Sequence, residues 1–350
     1  MKAVLLKGNG GFEQLEYRED VPAPAPGAGE VLIRVAAAGV NNTDINTRTA
    51  WYAKTPGGAG AGGAAAAGWT GAPPVFPRIQ GADACGRIVA VGAGVASTRI
   101  GERVLVEPVF RRPGSADPFD VIYFGSECDG AFAEFAAVPA VHAHKISSPL
   151  TDAELASFPC SYSAAENMLA RTGLRAGETV LITGASGGVG SAAVQLARRR
   201  GAQIIALASP SKAASVEALG ARRVAGRGAD IVSDLAGEKI DVVIDVAGGP
   251  QFPSLLDVLR RGGRYAVAGA IAGTDVALDL RTLYLKDLRF FGCTVLEPQV
   301  FSSLMGYIER GEIRPLVARA YPLSAIVDAQ RDFLNKTHIG KIVLTPPLRE

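Results

Sequence analysis

The sequence offers little that would draw it to a charged partner or into a membrane. Its 36 Lys and Arg nearly balance 34 Asp and Glu, for a formal net charge of +2. A balance this close to neutral gives no electrostatic reason to expect nucleic acid or an anionic membrane as partner. Long hydrophobic runs are missing too. No stretch of about 18 apolar residues exists, so no membrane-spanning helix is expected. The opening MKAVLLKGNGGFEQLEY turns polar too soon for a signal peptide and reads as a first strand with a turn. Cysteine is scarce: Cys85, Cys128, Cys160 and Cys293 lie far apart, with no C-x-x-C pair. That argues against a disulfide framework or a structural zinc and fits a reduced, cytoplasmic protein. The one basic triplet, Arg198-Arg199-Arg200, falls at the end of a predicted helix, where cations suit the helix dipole.

What is present is apolar mass in two textures. With 350 residues, 48% of them hydrophobic, the chain can fill two cores. From Met1 to about residue 150 it is strand-like and turn-rich: EVLIRVAAAGV, GRIVAVGAGV and GERVLVEP are short apolar runs bounded by glycine or proline. Residues 55–77, TPGGAGAGGAAAAGWTGAPPVFP, have few large side chains to bury and read as a loop, either a lid or an inert insertion. From about Thr151 strands and helices alternate. TVLITG, AQIIALAS, DVVIDVAGG and RYAVAGA read as strands; VGSAAVQLARRRG, SKAASVEALG and QFPSLLDVLRRGG read as helices. Near-continuous apolar strands spaced by helices predict an α/β fold with a doubly wound parallel sheet. After about Leu296 two helices and a terminal strand, GKIVLTP, complete the chain.

The eight residues TGASGGVG, Thr183–Gly190, stand where a strand stops and a helix begins. A helix N-terminus carries unpaired N–H groups and partial positive charge, and glycine lets the backbone approach a phosphate. The spacing therefore points to a dinucleotide pyrophosphate cradled by Gly184, Ser186, Gly187, Gly188, Val189 and Gly190. The next strand ends IIALASPSK, without the acid that binds the ribose 2′-hydroxyl of NAD. Ser209 and Lys212 stand where a 2′-phosphate would lie, and Arg227 can add a second charge. NADPH is the expected cofactor, ahead of NADH.

The motifs AAGVNNTD, GADACGRIVAVG, GERV, DGAFAEF, GASGGVGSAAVQLA, DVVIDVAGG and GKIVL, in this order over nearly the whole chain, resemble the medium-chain dehydrogenase/reductase superfamily. The branch resembled is that of the zinc-independent quinone oxidoreductases and enoyl reductases. The resemblance implies a discontinuous GroES-like catalytic domain, residues 1–150 and 297–350, and an inserted Rossmann domain, residues 151–296. It also implies NAD(P) in the cleft between them and a homodimer. Zinc-dependent members carry a ligand cysteine where this chain has Asn41 and a ligand histidine where it has Ala82. Cys160 alone matches a zinc ligand. With Asp83 it falls short of the three protein ligands a catalytic zinc needs, so no metal is expected. The second zinc's four-cysteine lobe is reduced to Cys128, and His142, His144 and His338 read as structural or surface residues.

The same resemblance assigns further contacts. Ala247 and Asp245 fall beside the adenosine half, Ala268, Gly269 and Ala270 beside the nicotinamide, and Lys341 near a cofactor phosphate. Where the branch often has a catalytic tyrosine this chain has Asn46; Tyr52, six residues on, is the candidate proton donor. Asn41 is the candidate for holding a carbonyl oxygen, and Arg48 for holding substrate or cofactor. Together these imply a reductase that passes hydride to a quinone or an α,β-unsaturated carbonyl, a small-molecule acceptor that conjugation already activates. Two alternatives stay open: a zinc-type alcohol dehydrogenase and a non-catalytic dinucleotide-binding protein.

Overall fold

The stretch EVLIRVAAAG, Glu30–Gly39, is a ten-residue strand, mostly alternating in burial, and the first unit is built about it. The computed structural model describes residues 1–53, 73–226, 228 and 230–347. The loop expected at 55–77 thus falls mostly outside the described residues, as does Arg227. Contacts divide the chain into two compact units, Met1–Cys160 with Pro315–Glu350, and Ser161–Arg314.

In the first unit, among the described residues, a seven-stranded sheet runs in the order Ala143–Lys145, Arg103–Val106, Cys85–Val91, Glu30–Gly39, Lys341–Thr345, Val317–Pro322. The seventh strand, Phe135–Pro139, also pairs with Glu30–Gly39. The strand Lys341–Thr345 lies antiparallel to Glu30–Gly39 with Val343 opposite Gly39, so residues from both segments of this unit build one sheet. Ile33, Val35, Ile88, Val104, Phe132 and Leu344 meet in its core. Each such side chain, fully buried, contributes roughly 1.5–3 kcal/mol.

The second unit holds a six-stranded sheet in the order Arg223–Gly226, Gln203–Ala208, Thr179–Ile182, Ile240–Asp245, Leu259–Val267, Arg289–Gly292. Every pairing is parallel. Numbered along the chain this is 3-2-1-4-5-6, the doubly wound Rossmann order. Leu181, Ile205, Leu207, Val243, Leu255 and Leu256 share its core. One expected helix is shorter than its sequence pattern: Phe252–Val258 stops early, and Leu259 already begins the next strand.

The unit boundaries fall at 160/161 and 314/315 rather than 150/151 and 296/297. Hydrogen bonds give the reason. Asp152 accepts from Arg103 at 2.7 Å, and Asp83 accepts the Cys160 N–H at 2.5 Å, which ties residues 151–160 to the first unit. Residues 295–314 are held within the second: Asn167 bonds both Val295 and Glu297 at 3.0 Å, and Gln195 accepts the Arg314 N–H at 2.9 Å. No helix of the described residues is long and apolar enough to cross a membrane.

The glycine-built corner depends on one close approach. A Cβ at Gly190 would sit 2.2 Å from the Gly184 carbonyl oxygen, and Gly184 itself has φ of +56°. Gly190→Ala is expected to cost about 1–3 kcal/mol, read as a lower thermal midpoint. An unchanged midpoint would show that the helix can stand off from the turn.

Candidate active site

In the second unit the C-terminal ends of the first and fourth sheet strands lie side by side, where the strand order reverses. Open α/β sheets bind ligands at such a switch point. The helix Gly188–Arg199 starts there, capped by Gly187, which has no side chain to satisfy the first N–H groups. Gly187 is exposed, Gly188 and Val189 are half-buried, and Ser186 is buried beneath them. The open backbone faces outward while the packing face is closed, so the residues present fit a pyrophosphate.

Asp245 holds this corner together. Its Oδ1 accepts the Thr183 hydroxyl at 2.6 Å and the backbone N–H groups of Ala247 and Gly248 at 2.9 and 3.0 Å. Its Oδ2 accepts the Tyr265 hydroxyl at 2.6 Å. Fully buried and so engaged, Asp245 is a bracket between strands. Ala247, Ala268, Gly269 and Ala270 do gather at the same edge. The Ala268 N–H bonds the Asp245 carbonyl at 3.2 Å, and Ala272 bonds Ala247 at 2.8 Å. A Cβ at Gly269 would meet the Val246 carbonyl at 2.8 Å. Ala270 also lines a cavity of about 270 Å³ with Phe252, Tyr265, Val267 and Phe290. Ser209 caps the turn after the second strand, its Oγ 3.2 Å from that of Ser211. Lys212 follows and is buried, where a surface lysine would have been exposed.

In the first unit a polar cluster forms where Glu30–Gly39 and Lys341–Thr345 pair. Val343 opposite Gly39 puts position 341 opposite position 41. The Lys341 ammonium donates to Asn41 Oδ1, and to Asp83 Oδ2 at 2.7 Å. The Asn41 amide nitrogen donates to Asp83 Oδ2 at 2.8 Å and to the Gly39 carbonyl at 3.3 Å. Asp83 Oδ1 takes the Cys160 N–H. Asp83 is 0% exposed, Lys341 3% and Asn41 6%. A Cβ at Gly39 would lie 2.5 Å from Asp83 Oδ2, so this strand end must be glycine for the carboxylate to fit. Asp44, in the first turn of the helix Asn42–Arg48, accepts the Asn41 N–H at 2.8 Å. Burial pushes its carboxyl up to about 7, against the pull of that N–H and of Lys341. Burial also raises the Cys160 thiol and the Tyr52 hydroxyl, keeping both protonated at neutral pH.

Three of the expected site residues are engaged by groups of the chain itself. Asn41 has both amide hydrogens and its oxygen engaged inside the cluster, so it cannot hold a substrate carbonyl without breaking one of these bonds. Lys341 has its ammonium engaged by Asn41 and Asp83. Arg48 is a buried strut: it donates to Gln330 at 3.1 Å and to the Gly10 carbonyl at 2.9 Å, and lies over the Phe12 ring. Tyr52 is half-buried, and its oxygen accepts from Asn46 at 3.4 Å, leaving its own proton to give. Sequence reasoning missed Asp44, although the spacing Asn41-x-x-Asp44 is that of a capping box.

Comparison with known proteins follows the same division. Residues 27–148 match the model of the alcohol dehydrogenase GroES-like domain, and residues 188–310 that of the zinc-binding dehydrogenase domain. The chain is 31% identical to acryloyl-coenzyme A reductase of Metallosphaera sedula, with 99% of this chain and 100% of that one covered. It is 29% identical to quinone oxidoreductase of Lama guanicoe, over 98% and 97%. Among solved structures, a Sinorhizobium meliloti 1021 protein assigned to the alcohol dehydrogenases superposes with a TM-score of 0.93 at 49% identity, over 99% and 97%. The zinc in one model's name does not suit the side chains here. An ammonium sits among the donors, and among the described residues no three His, Cys, Asp or Glu side chains converge on a metal position.

The Asp44 carboxyl has a signed consequence. The folded chain holds this proton up to about pH 7, whereas an unfolded aspartate releases it near pH 4. Stability from this group is complete below about pH 4 and is lost as pH rises toward 7. Denaturant titrations of Asp44→Asn should show stability gained relative to the parent between about pH 4 and 7. Parallel pH profiles would mean that Asp44 is ionised throughout.

Proposed function

Because the chain belongs to the medium-chain dehydrogenase/reductase superfamily and is an oxidoreductase of it, we propose that it is a zinc-independent, NADPH-dependent reductase. Its acceptor would be a quinone or an α,β-unsaturated carbonyl compound. The observation that supports this reading is the Lys341–Asp83–Asn41 cluster, in which a protein cation stands beside Asn41, the position where the resemblance sets a ligand cysteine in zinc-dependent members. The acceptor class draws support from the relatives named as acryloyl-coenzyme A reductase and quinone oxidoreductase. Such acceptors are polarised by their own conjugation and depend less on a strong Lewis acid.

The reduced nicotinamide, when bound, supplies the hydride. The chain supplies place and protons. The N–H groups of Gly187, Gly188 and Val189 take the pyrophosphate, with Gly184 and Gly190 shaping the turn over Ser186. Ser209 and Lys212 take the 2′-phosphate, and Arg227 belongs to the same proposal. Ala247 lies along the adenosine half; Ala268, Gly269 and Ala270 give a flat ring room beside the backbone. Tyr52, kept protonated by burial, gives the proton that completes the reduction.

The reading includes a homodimer. Arg289–Gly292 is an edge strand of the six-stranded sheet, and Phe290 on it is exposed, as are Leu280, Tyr284 and Leu285 nearby. An apolar edge of this kind is a template for pairing with a second copy. Sedimentation should show a dimer, and Phe290→Glu should shift it toward monomer; a monomeric parent chain would remove the dimer from the proposal.

Turnover tests the rest. Purified protein should oxidise NADPH in the presence of quinones or enones, and Tyr52→Phe should lower kcat by about 10²–10⁴. Lys212→Ala should raise KM for NADPH and leave that for NADH nearly unchanged. Cofactor binding with no turnover on any acceptor would favour a non-catalytic binding protein.

A further inference from the structure

We propose that Asn46 is a positioning residue for the Tyr52 proton, and that its side-chain N–H holds the negative charge that appears on the Tyr52 oxygen when the proton leaves. This rests on the reading of Tyr52 as proton donor above and supplies the group that eases the donation.

The backbone brings the two side chains together. The helix Asn42–Arg48 ends in a Schellman motif. The Trp51 N–H bonds the Asn46 carbonyl at 2.8 Å, and the Ala50 N–H bonds the Thr47 carbonyl at 3.2 Å. Ala50 takes the left-handed conformation that the motif needs, with φ of +56°. The chain therefore folds back, and Tyr52 comes to lie against the helical turn it has just left. There the Asn46 Nδ2 group donates to the Tyr52 oxygen at 3.4 Å. The Trp51 ring meets the Tyr52 ring edge-on, centroids 5.3 Å apart, which limits its rotation. Backbone and side chain of Asn46 thus hold two successive residues. A bond of this length between neutral groups is near the limit of hydrogen bonding and contributes little to the folded state. Its use comes during the reaction. The acceptor takes a hydride from the reduced cofactor and a proton from Tyr52. The Tyr52 O–H bond breaks, a new bond to that hydrogen forms on the acceptor anion, and the electron pair stays on the Tyr52 oxygen as a phenolate until solvent returns a proton. A bond from an N–H to an anionic oxygen is shorter and about twice as strong as a neutral one. Asn46 therefore acts most strongly where the charge develops, which lowers the barrier and leaves acceptor binding unchanged. Burial opposes that charge, and the Asn46 N–H acts against burial.

A double-mutant cycle tests it, with NADPH and methyl vinyl ketone, or benzoquinone where that is the better acceptor. Asn46→Leu nearly keeps the size of the side chain and removes the donor. It should lower kcat by about 10²-fold, with KM for the acceptor and the thermal midpoint close to those of the parent. In a Tyr52→Phe background the same substitution should lower kcat no further, since no phenolate forms there. Asn46→Asp has the same shape, no N–H and a negative charge. It should lower kcat at least as far, and it carries the test if Asn46→Leu fails to fold. Equal losses from Asn46→Leu with and without the Tyr52 hydroxyl, or a loss that appears in KM or the midpoint instead of kcat, would overturn the inference. Tyr52→Phe separates the two layers. Full activity in Tyr52→Phe removes the proton-donor reading together with this inference. A Tyr52→Phe variant that has lost activity, beside an Asn46→Leu variant that keeps it, removes this inference alone.

Discussion

The contact between the Lys341 ammonium and the Asp83 carboxylate is the interaction on which the first unit's chemistry depends. Neither group reaches water, and a buried charge left without its partner costs about 3–5 kcal/mol. Each neighbour is arranged around that fact. Gly39 gives up its side chain to make room. Asn41 turns its oxygen to the lysine and its nitrogen to the aspartate. The Cys160 N–H takes the remaining carboxylate oxygen. The pair also ties together distant parts of the chain: Lys341 comes from the last strand, Asp83 precedes the Cys85–Val91 strand, and Asn41 leads into the first helix. The pairing of Lys341–Thr345 with Glu30–Gly39 is what brings Lys341 to Asn41.

The second unit solves a related problem with a different group. Its Asp245 carboxylate is buried and, among the described residues, is met by hydroxyl and backbone donors. Those bonds bind the ends of neighbouring strands at the switch point, beside the glycine corner. A rigid edge of this kind lets small residues present backbone to a ligand, since no side chain there has to be ordered on binding. In both units a buried aspartate fixes the backbone geometry that the exposed groups then use.

Much of this was legible in the sequence, for reasons of period and spacing. The alternation of strands and helices after residue 150 and the glycine corner depend on local pattern, and the structure repeats them. The roles of Asn41, Arg48, Asp245 and Lys341 depend on partners 38 to 300 positions away. No periodicity reports such pairings. Arg48 is polar in a polar stretch, and only the folded chain shows Gln330 and Gly10 consuming its guanidinium. The unit boundaries moved for the same reason: residues 295–314 look like a return to the first unit until Asn167 and Gln195 are seen to hold them. Lys341 is the instructive case. Its basic character is plain in the sequence, but its partner is set by a strand register that puts it across from Asn41.

The proposed function has an oxidoreductase working without a bound metal. The most direct measurement compares NADPH-dependent turnover on an active enone or quinone before and after exhaustive dialysis against a strong zinc chelator. The same kcat and KM are expected in both samples, with no stimulation when zinc is returned. Activity that falls on chelation and recovers with zinc would contradict it.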